Sequence, residues 1–216
     1  MMMQLSVDCL RFAYSASAKP VINDITLALK EAQTALVVGD NGSGKSTLGR
    51  LIAGLLSPTS GDVVVKGKAP HKLCPWQRAP LVSYMGQVSH LSILTATLRK
   101  EVDMFSRSAP DAIEMYMTWA RRYSLPVDMT INPRDLPFPE LWRLVLIMYG
   151  VLLAPQILVV DEIAAGGNAT QENCLTAVME ARSQRLLSTI VMYQRRIPGH
   201  FDKVYRLSNA QIVNYE

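Results

Sequence analysis

The sequence predicts an α/β fold built on a mostly parallel sheet. Strand-like and helix-like patterns alternate along the chain, a glycine-rich break separates a short apolar run from a helical one, and a second apolar run ends in two acids. Such alternation calls for crossover helices between parallel strands. Residues 5–14 and 21–29 read as strands separated by a small-residue turn at 15–20. Residues 34–38, Thr-Ala-Leu-Val-Val, form the continuous apolar run of a strand covered on both faces. Residues 39–44 break it, and 45–55 read as a helix. Pro58 and Gly61 mark a turn before a strand at 63–66, and 81–85 is a further strand candidate.

Residues 92–150 are more helical. Ser108-Ala109-Pro110-Asp111 has the proline and acid of a helix start. Ile113, Tyr116, Met117, Ala120 and Tyr123 then recur at helical spacing, as an apolar packing stripe does. A proline-rich stretch, 126–139, interrupts the pattern, and 140–153 resumes it. Residues 157–160 and 187–192 read as buried strands, and 204–213 as a hairpin around Ser208-Asn209.

The bulk numbers narrow the function classes. A chain of 216 residues, 49% apolar, fits one domain with a small inserted lobe. A net charge of +4 suits nucleic acid or an anionic membrane surface equally well. There is no basic run to track a phosphate backbone, and Arg121-Arg122 and Arg195-Arg196 read as solvated pairs, so no nucleic-acid partner is expected. Cys9, Cys74 and Cys174 are odd in number and far apart, which predicts neither a metal site nor a disulfide framework and suggests a reducing, cytoplasmic compartment. Residues 1–5 are too short and uncharged for a signal peptide. The most apolar stretch, 144–153, has about half the length of a bilayer span and reads as a core helix. Any contact with a membrane is expected to run through a partner.

Gly39-Asp-Asn-Gly-Ser-Gly-Lys45-Ser46 matches the Gly-x4-Gly-Lys-Ser/Thr pattern between a strand and a helix. Gly39, Gly42 and Gly44 let the backbone curl, so that its amides, with those of Asn41, Ser43 and Thr47, point at phosphate oxygens. The helix beginning near Lys45 adds its positive end. Lys45 supplies a point charge for the β and γ phosphates of ATP, and the Ser46 hydroxyl suits Mg²⁺. Residues 157–162, Ile-Leu-Val-Val-Asp-Glu, place two carboxylates at the carboxyl end of a buried strand, where ligands sit in open α/β sheets. Asp161 is the candidate to hold Mg²⁺ through its water shell. Glu162 is the candidate base for a water aimed at the γ phosphate.

With both motifs in place, nearly the whole chain resembles the ABC transporter ATPases. Asn23-Asp-Ile-Thr-Leu-Ala-Leu29, the phosphate loop, and Leu51-Ile-Ala-Gly-Leu-Leu-Ser-Pro-Thr-Ser-Gly61 carry the likeness. It implies a P-loop NTPase core with a mostly parallel sheet, an antiparallel β subdomain in the N-terminal part, and a small inserted helical subdomain. The core would span 1–90 and 155–216, and the helical part about 91–154. Tyr14 matches the family's adenine-stacking aromatic. Gln87 matches its glutamine that touches Mg²⁺, follows the permease and completes a catalytic set with Glu162 and Lys45. Residues 95–105 look like the corresponding stretch of the energy-coupling-factor and cobalt-type subgroup. The likeness further implies transmembrane permease subunits as partners and a peripheral place on the cytoplasmic face of the cell membrane.

The departures are equally specific. The family signature Leu-Ser-Gly-Gly-Gln is aligned with Leu136-Pro-Phe-Pro-Glu140, and only Arg143 survives at its tail. Prolines have no N–H to offer phosphate, and Glu140 brings negative charge. The loop after Glu162 reads Ile163-Ala-Ala-Gly-Gly-Asn168 instead of Pro-Thr-Ser-Ala-Leu-Asp. Tyr193 stands where the switch histidine belongs, and a phenol stays neutral where an imidazole can share a proton. His71, His90 and His200 fall elsewhere and read as surface residues. Family sites form between two subunits, each lending its signature to the other's ATP. The expectation is therefore a heterodimer with a better-equipped second ABC ATPase. The alternative is a regulatory subunit that clamps ATP without useful turnover.

Overall fold

A computed structural model describes residues 2–15, 17–86, 89–162, 169–197 and 199–214, without the side chains of residues 89, 90 and 214. Its larger sheet has six strands in the order β5-β6-β7-β3-β8-β9: β5 (Val82–Met85), β6 (Ile157–Asp161), β7 (Ser188–Tyr193), β3 (Thr34–Val38), β8 (Lys203–Ser208) and β9 (Gln211–Asn214). The first five run parallel, and β9 returns antiparallel to β8. A smaller antiparallel sheet pairs β1 (Met3–Phe12) with β2 (Ile22–Lys30) and β4 (Ser60–Val65).

Each central strand is buried on both faces, and its alternate residues enter two cores. Leu36 and Val38 of β3, Leu158 and Val160 of β6, and Val191 of β7 pack under the helices. Ala35 and Val37, Ile157 and Val159, and Ile190 and Met192 face the small sheet and α1 (Lys45–Ile52). Gln4 ties the small sheet to the large one by donating from Nε2 to the Gln156 carbonyl at 2.6 Å.

Between β4 and β5 lies the short α2 (Pro75–Arg78). Between β5 and β6 come α3 (Leu98–Asp103), α4 (Ala112–Arg122) and α5 (Phe138–Ile147), and α5 continues into a π-helical turn, Met148–Leu153. The expected stripe on α4 is packed inward: Tyr116 and Ala120 are buried, and Tyr116 donates its hydroxyl to the Pro126 carbonyl at 2.8 Å. The helix expected from 140 begins two residues earlier, because Pro139 falls in its first turn, where a missing N–H costs nothing. It also changes pitch at Met148.

The sequence reading placed no helix between 163 and 187, yet α6 (Ala169–Gln184) lies there. Its buried face carries Cys174, Leu175, Val178 and Met179 with Gln171 and Arg182 at the two ends, so polar residues cut short the apolar stripe that would announce a helix. Arg182, 1% exposed, donates to Gly150, Pro155 and Ser188 carbonyls and to the Thr189 hydroxyl. It thereby pins α6 to the π turn and to the starts of β6 and β7. All three cysteines are free, and burial pushes the Cys174 thiol up to about 12. His200 is exposed as expected, whereas His71 is half-buried and its Nδ1 has no partner among the described residues.

Candidate functional site

The phosphate loop leaves the buried end of β3 and enters α1. A Cβ on Gly39 would stand 2.6 Å from both the Leu207 carbonyl and the Ser43 hydroxyl, so only glycine lets the chain pass between β8 and its own loop. Gly44, the residue before α1, has φ 103°, a left-handed turn that aims the first helical amides back into the loop.

Lys45 is 9% exposed. Its ammonium curls into the loop, donating to the carbonyls of Gly39 at 2.6 Å and Asp40 at 2.9 Å. Burial lowers its pKa, while Glu162, Asp161 and Asp40 oppose that shift through their charges. Lys45 therefore feels the charge of both acids at the end of β6. A cavity of about 320 Å³ joins Lys45 to Glu162 and is lined further by Tyr14, Asn41, Gly42, Gly44, Ser46 and Thr47. Such cavities form at the carboxyl ends of parallel strands. Another of about 450 Å³ lies at the opposite end of β3, beside Thr34, away from both motifs. Tyr14 is 60% exposed, stands edge-on to Phe12 at 4.9 Å between centroids, and shares a 3.0 Å hydrogen bond with the Thr47 hydroxyl. Gln87 and residues 163–168, to which the sequence assigned roles, lie outside the described residues.

The two acids are held differently. Asp161 is 1% exposed; its Oδ2 accepts a hydrogen bond from the Tyr84 hydroxyl, and its Oδ1 has no partner among the described residues. Glu162 has φ 67°, an uncommon conformation for a residue with a side chain and a mark of local strain. Three bonds hold it there. Its amide donates to the Met192 carbonyl at 2.9 Å, its carbonyl accepts from Trp142 Nε1 at 3.3 Å, and its Oε1 accepts from Gln194 Nε2 at 2.9 Å. The Trp142 bond couples α5 directly to the acid.

Three contributors escaped the sequence reading: Tyr84, Trp142 and Gln194. None belongs to a motif, and each acts through a partner far away in sequence. The nearest signal was Tyr193, whose ring, 7% exposed, packs into the core instead of facing Glu162. The neighbouring Gln194 makes the contact with Glu162.

The ABC transporter family model matches residues 22–165. In Staphylococcus aureus strain NCTC 8325, a protein named as a multidrug export ATP-binding/permease protein is 25% identical over 97% of this chain. The chain spans only 37% of that relative's length. In Escherichia coli K12, a protein named as the iron export ATP-binding protein FetA is 27% identical over 90% of this chain and 87% of its own. Among solved structures, cbiO1 from Clostridium perfringens, described as part of the transporter complex cbiONQ, superposes with a TM-score of 0.79 at 18% identity. That superposition covers 99% of this chain and 88% of cbiO1 and establishes a common ABC ATPase fold. With the family model spanning both motifs and well over half of the residues, the chain belongs to the ABC transporter family.

Proposed function

We propose that this chain is a single nucleotide-binding domain that binds Mg-ATP and hydrolyses it to drive a membrane transporter. The observation that carries this reading is the cavity that Lys45 and Glu162 line together, with the charge of Asp161 acting on the same ammonium. Tyr14 offers a π face to adenine, and Asn41 to Thr47 enclose the phosphates with amides, hydroxyls and the Lys45 ammonium. Magnesium fits the donor set: Asp161 Oδ1 is buried without a partner, and the Ser46 hydroxyl lines the cavity. Bound there, the ion would neutralise phosphate charge. Gln87 is proposed as a further contact to it.

Glu162 accepts the proton of a water whose oxygen attacks the γ phosphorus; the bond to the bridging oxygen breaks, and its electron pair leaves with ADP. Gln194 holds that carboxylate, Trp142 holds the backbone that carries it, and Lys45 stabilises the charge that develops on the phosphates. Glu162→Gln tests the assignment in the reconstituted transporter. Loss of nearly all turnover supports it. Unchanged transport favours the alternative of a regulatory clamp, a reading to which the packed-away Tyr193 ring lends weight.

The partners proposed are transmembrane permease subunits, placing this chain peripherally on the cytoplasmic face of the membrane. Among the described residues no helix is long and apolar enough to cross a membrane. Leu91 and Leu94 are 72% and 68% exposed on a segment that Glu101 ties to α3, an apolar surface suited to a docking partner. A second, better-equipped ATPase is proposed as the other half of a heterodimer. Purification of the native complex with identification of every subunit tests both, and a homodimer of this chain would refute the second.

A further inference from the structure

We propose that Tyr84 is the positioning residue of the magnesium site, its hydroxyl locking the Asp161 carboxylate so that Oδ1 alone is left to face the metal. The inference rests on the reading of Asp161 as the carboxylate that holds magnesium.

Tyr84 lies on β5, the strand next to β6. Its hydroxyl donates its one proton to Asp161 Oδ2, and the Arg50 side chain in the last turn of α1 acts on it through its charge.

The ring that carries this hydroxyl has little freedom. A Cβ added at Gly49 would stand 3.1 Å from Tyr84 Cε2, and one at Gly86 would stand 3.2 Å from Cε1. The two edges of the ring are thus seated against two glycines, where a side chain would push it off Asp161.

The consequence falls on Asp161. A buried carboxylate with neither oxygen held could rotate and offer either one. With Oδ2 occupied by Tyr84, the orphaned atom is always Oδ1, and a buried oxygen without a donor is costly until a cation or its water reaches it. Partners that orient a metal-holding side chain in this way typically change metal affinity by about tenfold or more when removed.

Tyr84→Phe keeps the ring in its seat and deletes only the hydroxyl. Wild type, Tyr84→Phe and Asp161→Asn, each as the full chain, are titrated with a fluorescent ATP analogue in EDTA and again across a Mg²⁺ series. The expected result for Tyr84→Phe is metal-free affinity within about twofold of wild type and a Mg²⁺ half-saturation raised by about tenfold. Asp161→Asn loses the Mg²⁺-dependent tightening altogether. If Tyr84→Phe keeps the wild-type half-saturation while Asp161→Asn loses the effect, the role of Tyr84 is overturned and the reading of Asp161 stands. If Tyr84→Phe weakens metal-free and Mg²⁺-bound nucleotide equally, the ring only packs and the inference fails. Should Asp161→Asn retain full Mg²⁺ dependence, both fall.

Discussion

Lys45→Ala is expected to weaken ATP binding by about 30-fold, and the figure follows from two opposing contributions. An ammonium about 4 Å from one phosphate charge, in the effective dielectric near a protein surface, contributes about 4 kcal/mol. Against this, Lys45 must release the Gly39 and Asp40 carbonyls, which it holds at 2.6 and 2.9 Å. Two such bonds cost about 1 kcal/mol each in net terms. The remainder is about 2 kcal/mol, or about 30-fold in affinity. Desolvation adds nothing further, because Lys45 is already buried in the free chain and its pKa is already lowered by that burial. Isothermal titration of the folded variant with ATP measures the loss directly. A loss under about threefold would mean that the ammonium contributes less than 1 kcal/mol at the phosphates. It would then be a clamp on the loop's own carbonyls, and the phosphate-loop assignment would fail.

Gln194→Ala removes the amide that holds Glu162 Oε1. On an exposed pair, one lost hydrogen bond to a carboxylate is expected to lower kcat by about fivefold with ATP affinity unchanged, as read by steady-state ATPase assays beside equilibrium binding. Equal rates would show that Trp142 and the Met192 carbonyl suffice to place the acid. Arg182→Ala deletes four bonds from a side chain that is 1% exposed, leaving buried carbonyls and a cavity. The expected cost is about 4 kcal/mol. For a chain of this size, that lowers Tm by about 8–16 °C in a thermal melt, and a shift below about 2 °C would contradict the pinning role.

The centre of the parallel sheet was legible because β3 and β6 are buried on both faces and keep almost unbroken apolar runs; residues 34–38 coincide with β3. The phosphate loop was legible because its chemistry needs glycines and a lysine at fixed local spacing, and the chain carries them contiguously. What escaped is what depends on distant partners. Helix α6 hides its period because Gln171 and Arg182 occupy core positions, the latter bonded to backbone carbonyls that only the folded chain assembles. Tyr84 is an ordinary strand tyrosine until β5 and β6 lie side by side. Substituting tyrosine for the switch histidine drew attention to residue 193, whereas alternation along β7 turns that ring into the core and leaves Gln194, just past the strand, beside Glu162.

The start of α5 bears most directly on whether two copies of this chain could serve each other. By resemblance, this is the segment that would meet the ATP held by an opposite subunit, and it would need free amides and a positive helix end to do so. Pro137 and Pro139 have no amide hydrogen, and the amides of Glu140 and Leu141 both close on the Pro137 carbonyl at 3.0 Å. Glu140 sits in the first turn, where its charge already offsets the helix dipole and would repel a phosphate. Phe138, 41% exposed at the tip, adds an apolar ring where the aligned signature has a glycine. Each of these features opposes anion binding, while the phosphate loop of the same chain is built for it. On the proposed reading of a site formed between two subunits, such a chain is suited to an unlike partner, whose signature would complete the site around Lys45. The partner's own nucleotide would then face the prolines, and hydrolysis in the pair should be confined to the site that Glu162 and Lys45 provide.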